Sequence, residues 1–222
     1  MDIAKNLITI KEKLPDHVSL IAISKYHPQE AIQKLYDVGH RKFGESRMQE
    51  VAEKEPQLPK DIEWHFIGHL QRNKVKDIIP YTHTIHSVDS VRLIKEIDKC
   101  ATNAKKEVCC LLQLHIADEE SKYGFSFDEC RDYLETGDWK KFEYAYLGGV
   151  MGMGTFTDDE DKVREEFRQL KLFFDEIKEK HFAGDKRFSE ISMGMSHDYQ
   201  IAVEEGSTMI RIGTSIFGER EY

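Results

Sequence analysis

Apolar residues along this chain follow two alternating rhythms. Short β-like runs recur at 18–24 (VSLIAIS), 42–46 (KFGES), 64–68 (WHFIG), 84–88 (TIHSV), 108–116 (VCCLLQLHI), 145–151 (AYLGGVM), 189–194 (SEISMG) and 209–213 (MIRIG). Such runs, rich in β-branched and aromatic residues and bounded by turn formers, read as strands. Between them lie stretches with apolar residues at helical spacing, at 28–39, 45–54, 70–79, 89–101 and 159–180. Strand and helix in alternation predict a parallel sheet covered by helices.

Eight strands in 222 residues leave about 28 residues per unit, slightly tighter than the ~250 residues typical of a (β/α)8 barrel. An open doubly wound sheet is the competing arrangement, but no G-x-G-x-x-G follows an early strand, as a dinucleotide-binding sheet would show. No internal repeat, low-complexity tract or Pro/Gly/Ser-rich linker interrupts the chain. The expectation is therefore an α/β fold, a single-domain (β/α)8 TIM barrel over residues 1–222.

Charge narrows the function classes. A formal charge of −9 and a pI near 5.6 argue against a constitutive nucleic-acid binder, which would present a basic face. The N-terminal MDIAKNLITIKEKL scatters charges through its apolar positions, unlike a signal peptide, and no run is long enough to cross a bilayer. Cys100, Cys109, Cys110 and Cys130 form no C-x-x-C pair, so reduced thiols in a cytoplasmic protein are expected, with Cys109 and Cys110 as small buried hydrophobes. Small-molecule ligands become the favoured partners, with no nucleic acid and no membrane.

In a barrel of this kind the working groups lie at the C-terminal ends of the strands. The first strand delivers Lys25 there. A lysine so placed can act as a base, a phosphate partner or a Schiff-base former, or it can lay its stem along the barrel and reach water. In the last third, Gly194, Met195 and Ser196 follow one strand and Gly213 and Thr214 follow the next. Both read as strand-to-helix turns, with Met195 and Ser196 expected in a first helical turn, where free N–H groups favour anions. Barrels often hold phosphate in the loops after strands 7 and 8. Arg211 shares its strand face with Gly213; if that face is the lumen, the guanidinium needs an acceptor, and an ion pair with Glu190 is the structural alternative to a ligand role. An amine, a double anion turn and a buried guanidinium together meet the needs of pyridoxal 5′-phosphate: a group for the aldehyde, donors for the phosphate and a partner for the pyridine nitrogen.

Other features invite other readings. His65, His69, His83, His86 and His197 raise the possibility of a metal-dependent barrel hydrolase, although no converging set of ligands with a carboxylate is evident. The run TFTDDEDK reads as a solvated helix start capped by Thr157. Arg72 and Lys76 lie one helical turn apart, a solvated face or a dock for a second phosphate ligand or a recipient enzyme.

Several stretches carry a resemblance: LIAISKYHP, HRKFGES, EWHFIGHLQRNK, HTIHSVDS, SKYGF, SMGMSHD and GSTMIRIGTSIFGERE. In this order they resemble the YggS/PROSC family of pyridoxal phosphate homeostasis proteins across almost the whole chain. The resemblance implies a barrel of the alanine-racemase type (fold type III) that binds pyridoxal 5′-phosphate without established turnover of its own. It implies that Lys25 bonds the cofactor as a Schiff base, that Ser196, Gly213 and Thr214 hold the phosphate, that Arg211 faces the pyridine nitrogen, and that Ile67 lines the ring. The family usually writes FGEN where this chain has FGES, so Ser46 brings a hydroxyl in place of an amide to the ring side. The segment GVMGMGTF, 149–156, also departs from the usual GLM-type loop. Cofactor storage and delivery by a monomer, with transient contact to pyridoxal-phosphate-dependent apo-enzymes, is the expected role. A racemase-like enzyme is the alternative, but it would need a second catalytic acid/base and a second domain or subunit to close the site.

Overall fold

The computed structural model describes residues 2–117 and 123–218. Eight strands, β1 (Ser19–Ile23), β2 (Lys42–Glu45), β3 (Glu63–Phe66), β4 (Thr84–Val88), β5 (Val108–Gln113), β6 (Ala145–Met151), β7 (Glu190–Ser192) and β8 (Met209–Ile212), form a closed barrel in sequence order. Every pairing is parallel, and β8 closes on β1 with Ile21 opposite Arg211 and Ala22 opposite Ile212. The helices α1 (Ile3–Lys11), α2 (Gln29–Asp37), α3 (Met48–Lys54), α4 (Val75–Ile78), α5 (Val91–Ala104), α6 (Phe127–Thr136), α7 (Glu160–His181), α8 (Tyr199–Glu204) and α9 (Thr214–Phe217) complete the order.

All eight expected strands are present, whereas three helical expectations change. The stretch 70–79 is a 3-10 turn, Arg72–Lys74, followed by the short α4. Its apolar residues, Leu70, Val75, Ile78 and Ile79, are all buried, but the first is separated from the rest by the polar residues 71–74 that form the 3-10 turn, and Pro80, which has no N–H, cannot extend α4. Arg72, Lys74 and Lys76 are all exposed. Helix α6 was not expected, yet it carries a full capping box between Ser126 and Glu129 and ends at Gly137, φ 67°. Helix α7 is capped by Asp159, whose side chain accepts from the Lys162 N–H, so Thr157 is not the cap. The Thr157 hydroxyl instead accepts from the Asp159 N–H two residues on.

Strand alternation sorts the core into two layers. Between sheet and helices lies the main apolar layer, including Phe43, Trp64, Ile85, Cys110, Phe167 and Phe188. The lumen holds Ile21, Ile23, Cys109, Leu111, Met151 and Met209, with Ile67, Tyr146 and Met153 packed against them. The adjacent cysteines thus pack on opposite faces of β5. Both thiols are free, and burial raises them, Cys109 to about 11, so they stay protonated and act as hydrophobes. At Gly149 a Cβ would lie 1.8 Å from the Glu190 carbonyl oxygen, so β6 and β7 can pair at this spacing only through glycine. Among the described residues no helix is long and apolar enough to cross a membrane.

Candidate functional site

Closure of β8 on β1 assembles the first and last thirds of the chain at one end of the barrel. Ile21 and Ile23 of β1 face the lumen, and the half-buried Lys25 follows two residues beyond the strand end. The chain then turns: the His27 N–H bonds the Ser24 carbonyl at 3.0 Å, and Tyr26 adopts a left-handed φ of 67°. At the third position of such a turn glycine is usual. The His27 ring stacks on Phe217 of α9, centroids 4.5 Å apart, tying the lysine turn to the turn after β8.

That second turn begins at Gly213, where a Cβ would rest 3.5 Å from the Ile23 side chain, beside the strand that leads to Lys25. Gly213 caps α9 and the exposed Thr214 opens it. The Gly213 and Ser215 N–H groups converge on the Ser196 hydroxyl oxygen, at 3.2 and 3.4 Å. Two amides aimed at one oxygen, with the hydroxyl hydrogen left to donate, form a donor set suited to an anion. Ser196 does not lie in a first helical turn, as expected from sequence. Asp198 caps α8, which starts at Tyr199, and the Asp198 carboxylate pulls the Met195 N–H toward itself at 2.5 Å, leaving Ser196 on the approach loop.

Arg211 is buried in the lumen and makes no ion pair with Glu190. Its Nη1 donates to the Ser192 carbonyl at 2.8 Å and hydroxyl at 2.7 Å, and its Nη2 to the Gly152 carbonyl at 3.1 Å. Glu190 instead accepts from Thr208 and Ser189 hydroxyls. The buried cation is thus held by oxygens of β7 and the end of β6. Burial lowers its pKa to about 10, which keeps it charged at neutral pH.

From Ser192 a hydrogen-bond chain crosses the lumen. His86 Nδ1 lies 2.9 Å from the Ser192 hydroxyl, and His86 Nε2 lies 2.9 Å from His65 Nδ1. Its polarity follows from Arg211, which can only donate. The Ser192 oxygen accepts from Arg211, and among the described residues the one other group within bonding distance of its hydroxyl is His86 Nδ1, so its hydrogen goes there. His86 then carries its proton on Nε2 and donates to His65, whose own proton sits on Nε2, a buried atom with no hydrogen-bond partner among the described residues. Burial keeps both rings neutral, His65 falling to about 3 and His86 well below its ordinary value. Among the described residues no three His, Cys, Asp or Glu side chains gather where they could hold a metal. His83 accepts from the Trp64 N–H at 3.1 Å, and His69 stacks on Tyr123 and lies 3.3 Å from Asp89.

Of the remaining expected residues, Ile67 packs on the lumen cluster near Gly44. Ser46 follows β2, its backbone so close to Gly68 that a Cβ there would lie 2.2 Å from the Ser46 carbonyl oxygen. Ser121 and Lys122 of the SKYGF stretch, and residues 219–221 of the final one, lie outside the described residues. Sequence reasoning missed Ser192 and did not anticipate that His65 and His86 bond each other. The strand period does place Ser192 on the β7 face of Glu190, but which strand faces Arg211 is decided by the barrel.

Comparisons with known proteins identify the family and the fold. The profile of the family "Alanine racemase, N-terminal domain" matches residues 2–221. The chain is 36% identical over 204 residues to the pyridoxal phosphate homeostasis protein of Aquifex aeolicus, covering 91% of this chain and 87% of that one. Among solved structures it is similar to PipY of Synechococcus elongatus with PLP bound, at TM-score 0.87 and 34% identity over 97% of this chain and all of that one. An alanine racemase of Clostridium difficile aligns at TM-score 0.77 and 18% identity, covering all of this chain and 56% of that one, a likeness of fold alone.

Proposed function

Because this chain belongs to the alanine racemase N-terminal domain family and, within it, to the pyridoxal phosphate homeostasis proteins, we propose that it binds pyridoxal 5′-phosphate through Lys25 and the two C-terminal turns and holds the cofactor for delivery. The observation that carries this reading is the meeting of the lysine turn with the Ser196–Gly213–Ser215 donor set beside a lumenal Arg211. When bound, the cofactor supplies an aldehyde that condenses with an amine with loss of one water, and a phosphate dianion. The residues present fit it. The two amides already directed at the Ser196 oxygen suit phosphate oxygens, and the exposed Thr214 hydroxyl lies in the same turn. Arg211, a fixed cation, would face the ring nitrogen and discourage its protonation, and Ile67 and Ser46 would border the ring. A ring left unprotonated stabilises carbanions poorly, which favours holding over turnover.

Delivery implies contact with recipient apo-enzymes. In support, the loops after β1, β5 and β6 each present an exposed aromatic on the same barrel face: Tyr26, Tyr123 and Phe156, 43, 56 and 81% exposed. Residues of this type dominate transient interfaces. A monomer acting as one domain in the cytoplasm completes the proposal: β1 pairs with β8, so no cut leaves the sheet whole, and the four cysteines are free thiols. The test is borohydride reduction of the cofactor-loaded protein followed by peptide mass spectrometry. The pyridoxyl adduct is expected on Lys25; an adduct confined to Lys74 or Lys122 would overturn the reading.

A further inference from the structure

Lys25 lies between two residues that are both held from outside the barrel wall. Ser24, on the opposite face of β1, donates its hydroxyl to Glu45 at 2.7 Å, and its carbonyl accepts from Lys54 Nζ at 3.1 Å. On the other side of Lys25, the Tyr26 N–H donates to Glu50 at 2.7 Å. One ammonium joins the set: Lys54 Nζ lies 2.8 Å from Glu45 and 2.9 Å from Glu50. The Glu45 side chain is fully buried and that of Lys54 is 11% exposed, so these contacts are shielded from water and salt. Burial raises Glu45 to about 7, against the pull of Lys54.

Successive side chains of β1 point to opposite faces, so anchoring Ser24 on the outer face and the Tyr26 N–H to Glu50 fixes both neighbours of Lys25 in the turn that follows the strand. The left-handed φ of Tyr26, rarely adopted by a bulky residue, is held by its N–H bond to Glu50. We propose that Glu45, Glu50 and Lys54 form a clamp behind the barrel wall that aims Lys25 into the lumen, making them positioning residues for its bond to the cofactor. The inference rests on the reading of Lys25 given above.

The test separates aiming the lysine from building the pocket. Pyridoxal 5′-phosphate and 4-deoxypyridoxine 5′-phosphate, which has no aldehyde, are titrated into wild-type protein, Glu50→Ala, Glu50→Gln and Lys25→Ala, with the rate of borohydride-fixable adduct at Lys25 measured in parallel. Glu50→Ala is expected to weaken pyridoxal 5′-phosphate at least tenfold, to slow adduct formation similarly, and to leave the deoxy analogue within twofold of wild type. Glu50→Gln, which keeps an acceptor for the Tyr26 N–H, is expected to recover most of the loss. Ser24→Ala, which trims only the hydroxyl bonded to Glu45, provides a milder second variant in case Glu50→Ala does not fold, with a selective loss of threefold or more. Unchanged affinity and rate in the folded variants, or equal losses for both ligands, overturn the clamp. A wild-type protein that forms no adduct on Lys25 overturns the reading beneath it, and the clamp with it.

Discussion

Ser192→Ala tests the hydrogen-bond chain behind Arg211. The substitution deletes one oxygen that accepts from Arg211 Nη1 at 2.7 Å and donates to His86 Nδ1 at 2.9 Å. Losing a bond to a charged group costs about 1.5–3 kcal/mol, and leaving a buried ring nitrogen unpaired costs about 1–3 kcal/mol. Arg211 keeps its carbonyl bonds to Ser192 and Gly152, so the low ends of these ranges apply, and the sum is about 2.5 kcal/mol. For a chain of this size that corresponds to a fall in Tm of roughly 5–10 °C. Urea unfolding at pH 7.5 measures the stability, and long-range proton–nitrogen NMR correlations read the ring tautomers. In the wild-type protein both His65 and His86 are expected to carry their proton on Nε2. In Ser192→Ala His86 loses the donor that enforces this, and the Nδ1–H form becomes populated. A wild-type His86 protonated on Nδ1, or a stability loss below 1 kcal/mol, would refute the polarity derived from Arg211.

Two further outcomes follow from the site and its buried groups. Thr214→Val and Ser196→Ala each remove a hydroxyl from the proposed phosphate turn, and at about 1.5–3 kcal/mol per charged hydrogen bond each is expected to weaken pyridoxal 5′-phosphate roughly tenfold or more in equilibrium titration; unchanged affinity in both would place the phosphate elsewhere. The fold is expected to weaken in acid. His40 is lowered by burial to about 4, His65 to about 3 and His86 well below its ordinary value, so below pH 6.5 the unfolded chain takes up protons that the folded state refuses, and the stability present above that pH is lost as it falls. Glu45, raised to about 7, acts the other way, its stabilisation being lost as pH rises through 7. The net effect is proton uptake on unfolding, so stability is expected to fall by a few kcal/mol as pH drops from about 6.5 to 4.5. Equal urea midpoints at pH 7 and pH 5 would contradict it.

The sequence by itself determined the repeating unit and the chemistry it carries. Strand and helix periods are local properties, so β1 to β8 were legible from runs of a few residues, as was the placement of Lys25, Gly213 and Thr214 at strand ends. The parity that puts Arg211 on the Gly213 face was equally local. Helix α6 was legible too, through its Ser126–Glu129 capping box, a signal weaker to the eye than periodicity. What the tertiary structure alone decided is which groups meet. Arg211 could have paired with Glu190, two residues from Ser192 on the same strand. The carbonyls of Ser192 and Gly152 reach it first, because β6, β7 and β8 are neighbours in the closed sheet. His86 and Ser192 are 106 positions apart, and nothing local to His65 or His86 shows that their rings bond each other across the lumen. The Ser196 approach loop and the Glu45–Lys54–Glu50 group have the same origin. A side chain's identity and face follow from its neighbours in the chain, but its partner across the lumen or behind the wall follows from barrel closure and strand register, which no local pattern encodes.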